Sequence, residues 1–202
     1  MLNINRDKFI SDYWNYYKNL ENDFINLTRF VKVCDTNYET CSDEIIKQFY
    51  AVCSEIDVVF KIICEFDLSS FKKIYDYHNA IKQKHQEIFE ASISILHSDI
   101  IITPFKAWGD SLLWWQDYND VKHNRFENYK KGNLLNLLNA ITALYYLELY
   151  LVRKIGVENG EIDVPNSISK IFKLNNFKTK YTVTADGLYP IISEDIDKLF
   201  NN

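Results

Sequence analysis

Five glycines and three prolines are spread through 202 residues, so little in this chain obliges the backbone to break. Glycine is the residue that leaves a helix at low steric cost, and proline removes a helical donor. Their scarcity, joined to apolar residues recurring at three- and four-residue steps, predicts an all-α fold: a bundle of about five helices.

The pattern locates those helices. Phe9, Tyr13, Tyr16, Tyr17, Leu20, Phe24, Leu27 and Val31 mark a first helix over Asp7 to Val31. The segment "CDTNYETCSD" interrupts it. Ser42 is then suited to cap a second helix, and Asp43 and Glu44 suit the positive end of its dipole. That helix runs from about Asp43 to Cys64 and is apolar nearly all round, which makes it central. Glu55 and Asp57 sit in its middle. Each either reaches solvent or, if buried, needs a partner, because an isolated buried charge is costly.

A third helix is expected to continue to about Leu96, with His78 and His85 on its solvated face. "HSDIIITPFKAW" reads as a connection. Asp110 is placed to cap a fourth helix from Ser111 that ends or bends near Gly132. Asn133 caps the next, Leu134 to Ile155, which Gly156 can terminate. This last run is apolar enough to raise a membrane span, but Asn136, Asn139, Glu148 and Arg153 interrupt it, so we expect a buried helix and no membrane. Beyond it the character changes to short β-prone runs with an Asp186-Gly187 turn signal. The expected division is a bundle over 1–156 and a small C-terminal extension over 157–202, with a hairpin in it.

Composition limits the function classes. Hydrophobic residues at 47% supply a core, which argues against disorder. A net charge of -5 removes a bulk basic footprint, so any nucleic-acid contact has to be local. Cys34, Cys41, Cys53 and Cys64 form no C-x-x-C pair; they read as reduced thiols of a cytoplasmic chain, with no metal. The N-terminus has no apolar signal-peptide core. Phosphate-cradling glycine loops, the G-x-S-x-G elbow and H-E-x-x-H are missing, and no cofactor is implied.

One segment gathers chemistry: "WWQDYNDVKHNRFENYKKGN", from Trp114 to Asn133. On one helix over Ser111 to Lys131, Trp115, Tyr118, Asn119, Lys122, His123 and Phe126 fall along one broad side, with Arg125 on the adjoining strip beside Trp114 and Val121. A histidine near its working pKa can take a proton from a 2'-hydroxyl or give one to a leaving oxygen. A neighbouring cation offsets phosphate charge, and an amide orients. The alternative is internal: His123 and Asn119 hydrogen-bonded within the bundle, and Lys122 and Arg125 paired with Asp117, Asp120 or Glu127. Trp14, Trp108 and Trp114 are further aromatics expected at the surface of a binding module.

The stretch "YNDVKH" resembles the signature of the HEPN superfamily, an arginine, a polar residue, three variable residues and a histidine. The resemblance covers most of Asp7 to Ile155 through its helical order, and its specific part is this short motif. It implies a helical bundle, a homodimer, and metal-independent RNA cleavage of the kind found in toxin–antitoxin and phage-defence systems. Asn119 takes the polar position and His123 the histidine. Tyr118 stands where the family has arginine, and Lys122 or Arg125 would have to supply the cation. Glu55, if buried, is the candidate to orient the cluster from the second helix. The resemblance also admits an inactive member that binds a nucleotide, RNA or a protein partner such as an antitoxin.

Overall fold

The computed structural model describes residues 4–109, 111–159, 169–175, 180–184 and 187–191. The chain is an all-α bundle with small β elements. The helices are α1 (Arg6–Phe9), a π-turn (Ile10–Trp14), α2 (Asn15–Thr28), α3 (Asp43–Ile63), α4 (Ile74–Lys84), α5 (Leu113–His123), α6 (Arg125–Asn128) and α7 (Leu134–Asn159).

The first expected helix is therefore one helix with a π-turn in it. The Asn15 N–H reaches back to the Ile10 carbonyl, which inserts an extra residue into the turn. That residue brings Phe9 and Trp14 onto one side: their ring centroids are 6.3 Å apart, and Trp14 continues to Tyr17 at 5.0 Å. Trp14 is thus buried, not exposed, and Trp108 and Trp114 are buried too.

α3 and α7 pack along each other and form the centre. Ser42 caps α3 as expected, its Oγ accepting from the Ile45 N–H at 3.2 Å. The α7 N-terminus is fully supplied with acceptors. Leu134 N–H donates to the Thr40 carbonyl, Leu135 N–H to that of Tyr38, and Asn136 N–H to Asn133 Oδ1. Leu134–Gly156 is long and apolar enough to cross a membrane, with mean hydropathy 1.3, but 89% of that window is buried inside the fold. Gly156 does not end the helix; α7 continues to Asn159.

The third expected helix stops early. α4 ends at Lys84, a 3-10 turn follows over Gln86–Glu90, and Ile93–Ile95 is a strand, β1. β1 pairs antiparallel with β2 (Ile101–Ile102) on one edge and β3 (Phe172–Leu174) on the other. Phe172 packs against Phe24 and Tyr145 in the main core, and Leu174 is buried beside it. A division after residue 156 therefore separates β3 from the sheet and core that it completes. β4 (Lys180–Thr184) and β5 (Gly187–Ile191) form an antiparallel hairpin. The Asp110 cap and the Asp186 half of the turn signal lie outside the described residues.

His78 and His85 are half-buried rather than on a solvated face. His78 packs edge-on against Phe89 and tilted against Trp108. His85 Nδ1 lies 2.9 Å from the Tyr150 hydroxyl, and burial lowers its pKa.

Candidate functional site

α5 is held by its apolar and backbone contacts. The Trp114 indole N–H donates to the Pro104 carbonyl at 2.9 Å, and the Tyr50 hydroxyl donates to the Val121 carbonyl at 2.9 Å. Tyr118 is buried edge-on among Phe49, Tyr50 and Trp115. Burial pushes its phenol up to about 12, so it stays neutral. The residue at the motif's arginine position is thus a core ring.

The expected single helix over Ser111 to Lys131 breaks at Asn124. That residue leaves helical geometry at φ -147° and ψ 75°. Its side chain starts α6 instead, with Oδ1 accepting from the Glu127 N–H and Nδ2 donating to Glu127 Oε2. His123 is consequently the last residue of α5, and Arg125 opens a separate turn. Arg125 does not continue the Trp114–Val121 strip; its electrostatic neighbours are Tyr50 and Tyr129.

The expected pairings at the site resolve unevenly. Asp117 and Asp120 are both engaged by Lys131, and Asp117 also accepts from Asn136 Nδ2 at 3.0 Å. Glu127 is taken by Asn124. Lys122 and Arg125 therefore have no carboxylate partner among the described residues. Lys122 Nζ instead lies over the Tyr118 ring, 5.4 Å from its centroid. Asn119 turns back on its own helix, donating from Nδ2 to the Trp115 carbonyl at 3.1 Å. Lys122, His123 and Arg125 are all exposed, and beside them Phe126 is 96% exposed. A phenylalanine that open, between an arginine and a glutamate, contributes nothing to the core.

Gly132 sets where this tip sits. A Cβ there would run into Ile46 Cγ1, so glycine lets the chain cross α3 this closely before α7 begins.

Glu55 is not brought to this tip. Cys53, Tyr50 and Phe49 form the side of α3 that meets Tyr118 and Lys122. Glu55 is two residues on from Cys53, and its electrostatic neighbours are Tyr13 of the π-turn and Glu148 of α7. Burial raises its carboxyl to about 7. Its neighbour in the middle of α3, Asp57, is paired, with Lys61 at 2.7 Å and the Tyr77 hydroxyl at 2.6 Å.

Two polar groupings carry no linear motif. Glu148 is fully buried, and among the described residues neither carboxyl oxygen has a hydrogen-bond partner. Burial, with Glu55 nearby, holds its pKa well above the usual range, so it is a neutral acid. In the sequence it reads only as an interruption of an apolar run. The second grouping joins the 3-10 turn to α7: Glu87 Oε1 accepts from the Tyr150 hydroxyl at 2.7 Å and pairs with Arg153 at 2.9 Å. These side chains satisfy one another, as a structural tie would. Among the described residues, no group of three His, Cys, Asp or Glu side chains is placed to hold a metal ion.

Comparison with known proteins finds no matching family model, no matching curated protein and no matching solved structure.

Proposed function

We propose that the α5–α6 tip is a contact surface for single-stranded RNA on a HEPN-like binding module. The observation that carries this reading is the set Lys122, His123 and Arg125, exposed and without carboxylate partners among the described residues, next to an almost fully exposed Phe126. Cations follow the phosphates, and an open aromatic ring offers a face on which an unpaired base stacks. The acidic chain as a whole gives no such surface, so the contact is local. Tyr118 supports binding over catalysis, because a buried neutral phenol supplies no charge to a phosphorane.

The test is the salt dependence of binding to a labelled single-stranded RNA. Each lost phosphate contact lowers the log–log slope by about 0.7. Lys122→Ala and Arg125→Ala should each lower it by roughly that amount, and an unchanged slope in both contradicts the reading.

A second reading is metal-independent RNA cleavage with His123 as general acid/base, Asn119 orienting it and Lys122 or Arg125 offsetting charge. The exposed His123 imidazole, hydrogen-bonded to no described group, favours it. Turnover in EDTA that disappears in His123→Ala would establish it. Both readings carry a homodimer and a protein partner such as an antitoxin, and four free thiols support a cytoplasmic setting.

A further inference from the structure

Glu148 is a carboxyl with nothing to compensate it. Its side chain is fully buried, its oxygens have no accessible surface, and among the described residues neither has a hydrogen-bond partner. No dissolved ligand reaches such atoms in this packing. A proton does, whenever the surroundings open locally.

Three elements meet around this carboxyl. Glu55 of α3 is half-buried and is the charge that acts on Glu148. Tyr13 of the π-turn has both carboxyls as electrostatic neighbours and packs on the core, its ring stacked on Phe9 at 6.3 Å. Asp12, beside Tyr13, adds a further negative charge. The cations of the adjoining helices are engaged elsewhere: Arg6 with Asp7, Lys18 with Glu21, and Arg153 with Glu87. The Tyr17 and Tyr150 hydroxyls also go to Glu21 and Glu87, and α5 turns Asp117 and Asp120 to Lys131. Among the described residues, the groups set against Glu148 are therefore acids, with no cation among them.

While both carboxyls are neutral, burial costs only their unmade hydrogen bonds. Once they ionise, two like charges share a place without water or counter-charge, which is far costlier. Relief comes where packing is thinnest. α3 and α7 are held together by fully buried side chains such as Phe49, Ile56, Leu144 and Leu151. α1 and the π-turn bury one side only: Phe9 and Trp14 point inward, while Asp7, Lys8, Ser11 and Asp12 are exposed. A π-turn is also a place where helices bend.

We propose that α1 and the π-turn form a proton-held flap, seated while Glu55 and Glu148 are neutral and lifting from α3 and α7 when they ionise. Lifting admits water and returns each carboxyl to its solvated range. Each proton released on opening then favours the open form by about tenfold per pH unit. The seated form dominates in acid. Opening grows above the solvated value of 4.5; Glu55 contributes up to about 7, and Glu148 continues beyond it.

The test is amide hydrogen exchange of the full chain at pH 6 and pH 8, read as protection relative to an unstructured chain at the same pH. The reporting amides are Phe9, which donates to the Asn5 carbonyl, Ile10, which donates to that of Arg6, and Asn15, which donates to that of Ile10. Their protection should fall about tenfold or more between the two pH values, with little change at Phe49 or Leu144. Glu55→Gln and Glu148→Gln keep the shape of the neutral acids; each should shrink the fall, and the double variant should abolish it. Constant protection in wild type, an equal fall throughout α3 and α7, or an undiminished fall in the double variant would overturn the proposal. None of these outcomes bears on RNA binding at α5–α6.

Discussion

The Lys122 ammonium lies 5.4 Å from the centroid of the Tyr118 ring, a cation held outside a ring that is itself part of the core. Charge and packing are thereby divided between neighbouring turns of α5. Tyr118 secures the helix against α3, and Lys122 keeps its charge at the surface.

That division predicts unequal effects at one position. Tyr118→Ala removes a buried ring from between Phe49, Tyr50 and Trp115 and should cost about 3–5 kcal/mol in denaturant unfolding. Tyr118→Phe keeps the ring and should stay within about 0.5 kcal/mol. A large loss in Tyr118→Phe would mean that the hydroxyl, not the ring, is the working part.

Stability should depend on pH through Glu55 and Glu148. Both fold into surroundings that favour the neutral acid. The stabilisation is complete below the unfolded value of 4.5 and is lost as pH rises toward about 7, where folded Glu55 ionises. Folded Glu148 shifts in the same direction. Glu148→Gln should therefore raise the melting temperature by roughly 3 °C or more at pH 8 and by less at pH 5. A gain that is larger at pH 5 reverses the sign and refutes the assignment.

Gly132 is predicted to tolerate no side chain. Gly132→Ala drives a methyl into Ile46, which is buried and cannot swing away freely. The expected loss is about 1–3 kcal/mol, measured by chemical denaturation. In an Ile46→Ala background, which lacks Cγ1, Gly132→Ala should cost less; an equal loss in both backgrounds would place the strain elsewhere.

The residues after α7 should matter to the bundle. Phe172 fills space between Phe24 and Tyr145, and Ser169 hydrogen-bonds buried Glu21. Phe172→Ala should cost about 3–5 kcal/mol. Ending the chain at residue 156 should broaden the thermal transition or lower its midpoint; an unaltered transition would show that 1–156 is self-sufficient.

What could be read from the sequence was local. Ser42 and Asn133 are caps with the right side chains directly before apolar runs, and both helices start there. The strand at Ile93–Ile95 was hidden because its partner, Phe172–Leu174, lies far along the chain. Periodicity also continued through "NRFENYKK", and only the backbone of Asn124 reveals the break. Gly156 looked like a stop. A single helical glycine costs only about 1 kcal/mol, however, and burial of Val152 and Ile155 exceeds that. In the site, the residue types at 122, 123 and 125 were legible, but their exposure was not. Nor was it legible that Lys131 occupies Asp117 and Asp120, which leaves Lys122 and Arg125 without a carboxylate among the described residues.

The most direct measurement of the account is equilibrium binding of a labelled, unstructured RNA oligomer. Wild type is compared with the combined Lys122→Ala, Arg125→Ala and Phe126→Ala variant at matched fold and ionic strength. Wild type should bind, and the variant should lose about tenfold or more in affinity. Equal affinities, or no binding by wild type, would contradict an RNA-contacting role for the α5–α6 tip.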